Sequence, residues 1–186
     1  MKNRFIVMIV FPFLIYGCSA KKPVADTSQP AAPAEDVKPS VNFSEQTTWI
    51  LGYFNRGQLE RPPYSEWFMK EYDNYSFNTD AVNKLTDISK ENITLKIVLG
   101  TWCPDSSREV PRFLKILDIW GFPADKITLI GVDNAKLSPV GEYEKLNIER
   151  VPTFIFYKNN IESGRIIETP LTSLEQDIVN ILTRNE

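Results

Sequence analysis

From Thr94 onward the chain alternates two apolar rhythms, and that alternation restricts the fold more than any other feature. Thr94 to Leu99 is a short run of β-branched and aliphatic residues that reads as a buried strand. Pro104 to Trp120 repeats at helical spacing, with Pro111 inside it. Lys126 to Val132 is a second strand, Val140 to Asn147 a short helix, and Thr153 to Tyr157 a third strand. Lys158-Asn159-Asn160 is a turn, and Ile161 to Glu168 continues as its hairpin partner. Thr172 can cap a last helix reaching Arg184, with Leu174, Ile178, Ile181 and Leu182 on one face. The order β-α-β-α-β-β-α over residues 92–186 predicts an α/β fold. Its central mixed sheet starts with parallel strands joined by crossover helices, carries an antiparallel hairpin edge and is flanked by helices.

Residues 45–91 have a different character. Nine aromatics fall between Trp49 and Phe77. Ser44 can cap a helix to Asn55, pairing Trp49 with Tyr53 and Ile50 with Phe54, with Gly57 as its stop. Ser65 can cap a second helix, in which Phe68, Tyr72 and Tyr75 share a face. A third is expected from Asp80 to Lys90, with Val82, Leu85 and Ile88 turned inward. This predicts a helical, aromatic-rich extension whose rings serve first as packing surface.

The first 44 residues read as an address and a tether. Lys2 and Arg4 precede the apolar run Phe5 to Tyr16, the order of a signal peptide. Twelve helical residues rise only about 18 Å, against a bilayer core of about 30 Å. Ile15-Tyr16-Gly17-Cys18 resembles the bacterial lipobox, which implies a lipoprotein signal peptide over residues 1–18, cut just ahead of Cys18 so that the lipidated Cys18 becomes the first residue. Residues 19–44 hold five alanines, four prolines and one aromatic, too little apolar surface to offset ordering. A disordered spacer is expected there.

Composition narrows the chemistry. With no histidine, a Ser-His-Asp triad, a Cys-His pair and His-ligated metals are excluded. Two cysteines, Cys18 and Cys103, cannot build a disulfide scaffold or a four-cysteine zinc site. A net charge of -3 gives no reason to expect nucleic acid. No Gly-rich phosphate loop is present, and no cofactor is called for.

What remains is one thiol. In Thr101-Trp102-Cys103-Pro104-Asp105-Ser106, Pro104 suits the first helical position and Cys103 the cap before it. A sulfur there faces amide donors at the positive end of the helix dipole, which favours the nucleophilic thiolate. Ser106, three residues on, can point its hydroxyl and amide back at the sulfur. Asp105 works against the thiolate through its charge.

These residues, taken with their spacing, resemble thioredoxin, and most of all the thioredoxin-family lipoproteins of bacterial envelopes. Trp102-Cys103 stands at a strand-helix junction, and Pro111 follows eight residues later. Leu146 to Thr153 resembles the stretch carrying the family's cis-proline, which would be Pro152, and the hairpin and last helix follow at the expected distances. The resemblance implies a thioredoxin fold over residues 92–186. It implies that Cys103 and Ser106 form a CxxS active site supported by Trp102, Pro104, Asp105 and Pro111. It implies that Val151, Pro152 and Thr153 receive a substrate strand, with Arg150 near the sulfur.

Two departures shape the functional expectation. Ser106 replaces the second cysteine, and Ile97 stands where the family has a buried acid. The mature chain then has one free thiol and cannot close an internal disulfide. The expectation is monothiol exchange on envelope client proteins bearing disulfides or oxidised thiols, with the lipid as the only membrane contact. Alternatives are a redox-inactive binding module using the Pro152 groove and the aromatic extension, and a cluster- or glutathione-binding role.

Radiolabelled fatty acid should be incorporated into the wild-type chain and lost in Cys18→Ala; absence of label in the wild type would rule out lipidation.

Overall fold

β-Branched and aromatic residues concentrate in five short segments, and these assemble into one mixed sheet in the computed structural model of the chain, in which residues 49–184 are described. The expected signal peptide (1–18, with Cys18) and tether (19–44) lie outside the described residues. The elements in order are β1 (Gly52–Phe54), α1 (Ser65–Asn74), α2 (Thr79–Thr86), β2 (Ile93–Leu99), α3 (Pro104–Trp120), β3 (Ile127–Gly131), β4 (Thr153–Lys158), β5 (Ile161–Ile167) and α4 (Leu174–Thr183). The strand order is β1-β3-β2-β4-β5, so β2 is central.

β2 and β3 run parallel, from Leu95 opposite Ile127 to Leu99 opposite Gly131, with α3 as the crossover. The α/β class expected from the sequence is met, and α3 spans the residues its periodicity predicts. Its ends follow from local chemistry. Pro104 opens it without losing a needed donor. Gly121 closes it in the left-handed region at φ 68°, with Phe122 N–H donating to the Leu117 carbonyl at 2.8 Å.

Alternation along the strands sorts the core into two parts. Leu95, Ile97, Leu99, Phe154, Phe156 and Ile166 meet the apolar faces of α3 and α4, together with Phe68 of α1 and Leu85 of α2. Phe113 of α3 stacks on Phe154 at 4.1 Å and meets Phe156 edge-on at 5.9 Å. On the opposite face, Val98, Ile130 and Ile155 pack against Cys103, Val132, Tyr143, Leu146 and Val151. That second core is covered by the irregular chain between β3 and β4 rather than by a helix.

Several expectations are corrected. β4 is antiparallel to β2, with Thr153 opposite Val98. The β3–β4 connection never returns to the far end of the sheet. The helix expected at Val140 to Asn147 is only a 3-10 turn, Tyr143–Leu146, bracketed by left-handed Glu142 and Asn147. The helix expected up to Asn55 is replaced by β1, antiparallel to β3. Gly52 at φ 80° cannot be helical, and the Ile50 carbonyl lies so close over Gly131 that a Cβ there would stand 2.1 Å from its oxygen. Trp49, Tyr53 and Phe54 therefore diverge to different surroundings instead of pairing along a helix.

Residues 45–91 are accordingly not a purely helical appendage: β1 is an edge of the sheet, and α1 packs on α3. Tyr64, not Ser65, is the cap residue of α1. The third helix begins at Thr79, capped by Asn78, and ends at Thr86, short of Lys90. Ser173 rather than Thr172 caps α4, its Oγ accepting from Gln176 N–H at 3.2 Å, while the Thr172 hydroxyl donates to Asp177.

The β4–β5 hairpin turns on Asn159 and Asn160, both at positive φ (55° and 64°), which matches the right-handed twist of the strands. Its ladder carries a bulge, because Phe156 pairs with Gly164 but Tyr157 with Glu162. The extra residue, Ser163, breaks strict alternation and brings Glu162 and Arg165 together at 2.6 Å.

Phe113→Ala should lower unfolding free energy by about 3–5 kcal/mol in urea titration, and Phe113→Leu by clearly less, because truncation leaves a cavity between α3 and the sheet.

Candidate functional site

The end of β2 delivers the thiol. After Leu99 the chain turns through Gly100, Thr101 and Trp102, with Cys103 N–H donating to the Gly100 carbonyl at 2.9 Å. Trp102 folds back over Gly100, where a Cβ would lie 2.5 Å from the indole, so only glycine fits without displacing the ring. The indole N–H donates to the Val132 carbonyl at 3.0 Å, which ties the turn to the end of β3.

Cys103 is the cap residue of α3, in extended conformation, and its own carbonyl accepts from Ser107 N–H at 3.0 Å. The sulfur differs from expectation in one respect. It makes no capping bond to the amides of the first turn. Instead Sγ donates to the Val151 carbonyl at 3.3 Å, and the residue is 8% exposed. Cys103 and the Val151-Pro152 stretch, which the resemblance implied to be neighbours, are in contact, and the Val151–Pro152 bond is cis.

The neighbours divide into those that touch this pair and those that do not. Pro104 is the exposed first residue of α3, and Pro111 is buried within the helix. Ser106 is wholly buried, and its Oγ accepts from Gly100 N–H at 3.3 Å rather than serving the sulfur. Its work is to pin the first turn of α3 to the end of β2. Asp105 is engaged by Arg108 at 2.7 Å, so its charge is compensated on the spot. Arg150 turns to Glu168, also at 2.7 Å, instead of lying over the thiol. Thr153 donates its hydroxyl to the Arg150 carbonyl at 2.6 Å, and the Pro152 carbonyl accepts from Glu168 N–H at 2.7 Å. Together these hold the turn that presents Val151.

Other residues at the site carry no motif. Ile50 N–H donates to the Thr101 hydroxyl at 3.3 Å, and the rings of Trp49 and Trp102 lie 6.4 Å apart at 55°. The segment before β1 thus packs against the turn that leads to Cys103. No periodicity signals this, since the pairing is made across 51 residues. Glu109 on α3 is buried and held by Arg108 at 2.6 Å, a charge pair that reads in sequence as two adjacent surface residues. Among the described residues, no group of three Cys, Asp or Glu side chains could hold a metal ion. Among the same residues, no helix is long and apolar enough to cross a membrane.

Tyr143 anchors the covering chain, donating its hydroxyl to the Lys136 carbonyl at 2.8 Å. Burial first, and then the charge of Asp133, pushes its phenol up to about 12. A raised phenol favours the folded state below the ordinary value near 10, and that contribution fades as pH climbs from there toward 12. Tyr143→Phe should therefore cost about 1 kcal/mol at pH 8. The gap between wild type and variant should narrow in thermal melts above pH 10.

No family model matches the chain, and no curated protein matches it. Among solved structures it is similar to a protein of unknown function from Pseudomonas aeruginosa, at 16% identity over 63% of this chain and 78% of that one, with a TM-score of 0.44. It is also similar to an HIV epitope scaffold, at 17% identity over 63% and 79%, with a TM-score of 0.43. Neither likeness bears on activity.

Proposed function

We propose that this chain is a thioredoxin-like lipoprotein, tethered through Cys18 to the bacterial envelope and facing the periplasm, that performs monothiol-disulfide exchange through Cys103. The observation that carries the reading is the placement of Cys103 Sγ at the head of α3, 3.3 Å from the Val151 carbonyl. A strand, a tight turn and a helix start bring the sulfur to one sheet end, and the returning chain sets the Val151 carbonyl beside it. Once the thiol gives up its proton that carbonyl loses its donor, and it can accept from an extended client strand.

The chemistry is balanced by the client. The Cys103 thiolate attacks one sulfur of a client disulfide. One S–S bond forms, the old one breaks, and the second client sulfur leaves as a thiolate that takes up the proton Cys103 gave to water. A second thiolate then attacks the client sulfur and frees Cys103. Where that thiolate belongs to the same client, the net result is isomerisation, and no reductant is consumed. Cys103 is the free cysteine among the described residues, and Ser106 takes no part in resolving the intermediate.

One observation favours a second reading. Cys103 is buried among Val98, Val132, Tyr143 and Val151. A thiol so placed suits a redox-inactive module that offers the Pro152 groove and aromatic segment to a partner. The two readings part on one experiment. Under exchange chemistry, Cys103 reacts with a small aromatic disulfide at pH 7 at least about tenfold faster than free cysteine. Mixed disulfides with envelope proteins then appear on non-reducing gels and vanish in Cys103→Ala. An unreactive thiol, with the same partners captured by wild type and Cys103→Ala, selects the binding module.

A further inference from the structure

One face of the sheet is covered along only part of its length, and a cavity opens where the cover stops. Alternation puts Val98, Lys96 and Thr94 of β2 on that face. Val98 packs with Tyr143 and Leu146 of the covering chain. Beyond it Lys96 is half-buried and Thr94 exposed, because Tyr143–Leu146 is a single 3-10 turn and not the longer helix that would have shielded them. The cavity measures about 320 Å³ and is bordered by Lys96, Tyr53, Tyr157, Tyr143 and Leu146 among others. Tyr53 stands on β1 opposite Ile130, itself opposite Val98, and Tyr157 on β4 opposite Thr94, so both belong to the same face as Lys96.

The charges lining the cavity do not cancel. Glu142 is matched by Lys145 at 2.5 Å, and Glu162 by Arg165 at 2.6 Å. Lys96 has no carboxylate within ion-pair reach among the described residues; its ammonium rests over the Tyr157 ring, 5.2 Å from the centroid. That contact holds the lysine in place without neutralising it. One positive charge is left over, presented as a single ammonium rather than a guanidinium fork. A carboxylate balances it, whereas a doubly charged phosphate calls for more cations than one lysine supplies.

The rest of the lining describes the body of the ligand. Tyr53 is 64% exposed and offers a ring face for stacking. The hydroxyls of Tyr53 and Tyr157 make no hydrogen bond within the described residues, and Glu142 and Glu162 keep lone pairs beyond those their cations use. Donors and acceptors mixed in this way suit a ring that carries hydroxyls, and would go unpaired against an apolar one. The volume is at the small end for a ligand site, which fits one ring.

We propose that this cavity binds an acidic sugar, its carboxylate on Lys96 Nζ, one ring face against Tyr53, and its hydroxyls toward Glu162 and the Tyr157 phenol. The site is separate from the thiol chemistry proposed for Cys103 and stands or falls without it.

The full chain, purified in detergent, is titrated with glucuronate, glucose, benzoate and inorganic phosphate, and binding is read by saturation-transfer NMR. Glucuronate should bind with a Kd of about 1 mM, the scale for a ligand of its size. Glucose, which lacks the carboxylate, should bind about tenfold more weakly. Lys96→Gln should lose the preference for glucuronate over glucose, Lys96→Arg should keep it, and Tyr53→Ala should weaken glucuronate at least about threefold. Should Lys96→Gln fail to fold, the wild-type preference and the Tyr53→Ala loss decide the matter.

No glucuronate binding, glucose bound as well as glucuronate, or an unchanged preference in folded Lys96→Gln overturns the proposal. Benzoate or phosphate bound more tightly than glucuronate overturns the assignment to a sugar acid. If the chain sediments as a dimer that Tyr53→Ala dissociates, the face is a contact between copies and the proposal falls as well. None of these outcomes touches the reactivity of Cys103.

Discussion

The structure depends on β2 being paired on both sides. Its parallel neighbour β3 and antiparallel neighbour β4 leave it no freedom to slide, since a one-residue slip would turn Leu95, Ile97 and Leu99 away from α3. The strand's end is thereby fixed, and with it the turn that follows. The register that sets Thr153 opposite Val98 also decides where Val151 stands. The contact between Cys103 and the Val151 carbonyl is thus a consequence of strand pairing, not of a local motif.

A second layer of restraint lies in the side chains that lock the turn. Ser106 holds Gly100 from within, and Trp102 covers the same glycine from the other side and grips Val132. The first turn of α3 cannot rotate without breaking both. The site is built on rigid elements at three points, β2, α3 and the start of β4, while the segment 132–152 supplies the cover with little regular structure of its own.

Much of this was legible in the sequence. The bounds of α3 followed from Pro104 and the helical spacing up to Trp120, and the hairpin from the turn at Asn159 and Asn160. The sulfur's place at a helix start also followed from the residues around it, whereas the approach of Val151 and Pro152 to it was implied only by the thioredoxin resemblance. Three things were not legible, for physical reasons. Trp49, Tyr53 and Phe54 fall at helical spacing, yet Gly52 is in a conformation no helix admits, and backbone angles leave no trace in periodicity. The direction of β4 depends on whether the preceding 21 residues cross the molecule, which an apolar pattern does not encode. Asp105 pairs with Arg108 three residues on, Ser106 with Gly100 six residues back and Arg150 with Glu168 eighteen residues on, and in each case the choice among neighbours is set by ångström-scale distances that spacing does not give.

The bulge at Ser163 has a consequence for the molecule in company. β5 is a border strand whose outer backbone groups would otherwise invite a neighbouring chain to extend the sheet. With one residue out of step and a carboxylate-guanidinium pair across the kink, the border presents a broken row of donors and acceptors. A strand from another molecule meets no continuous template there, so a protein rich in aromatic and β-branched residues keeps a safeguard against fibrous self-association written into a single misaligned position.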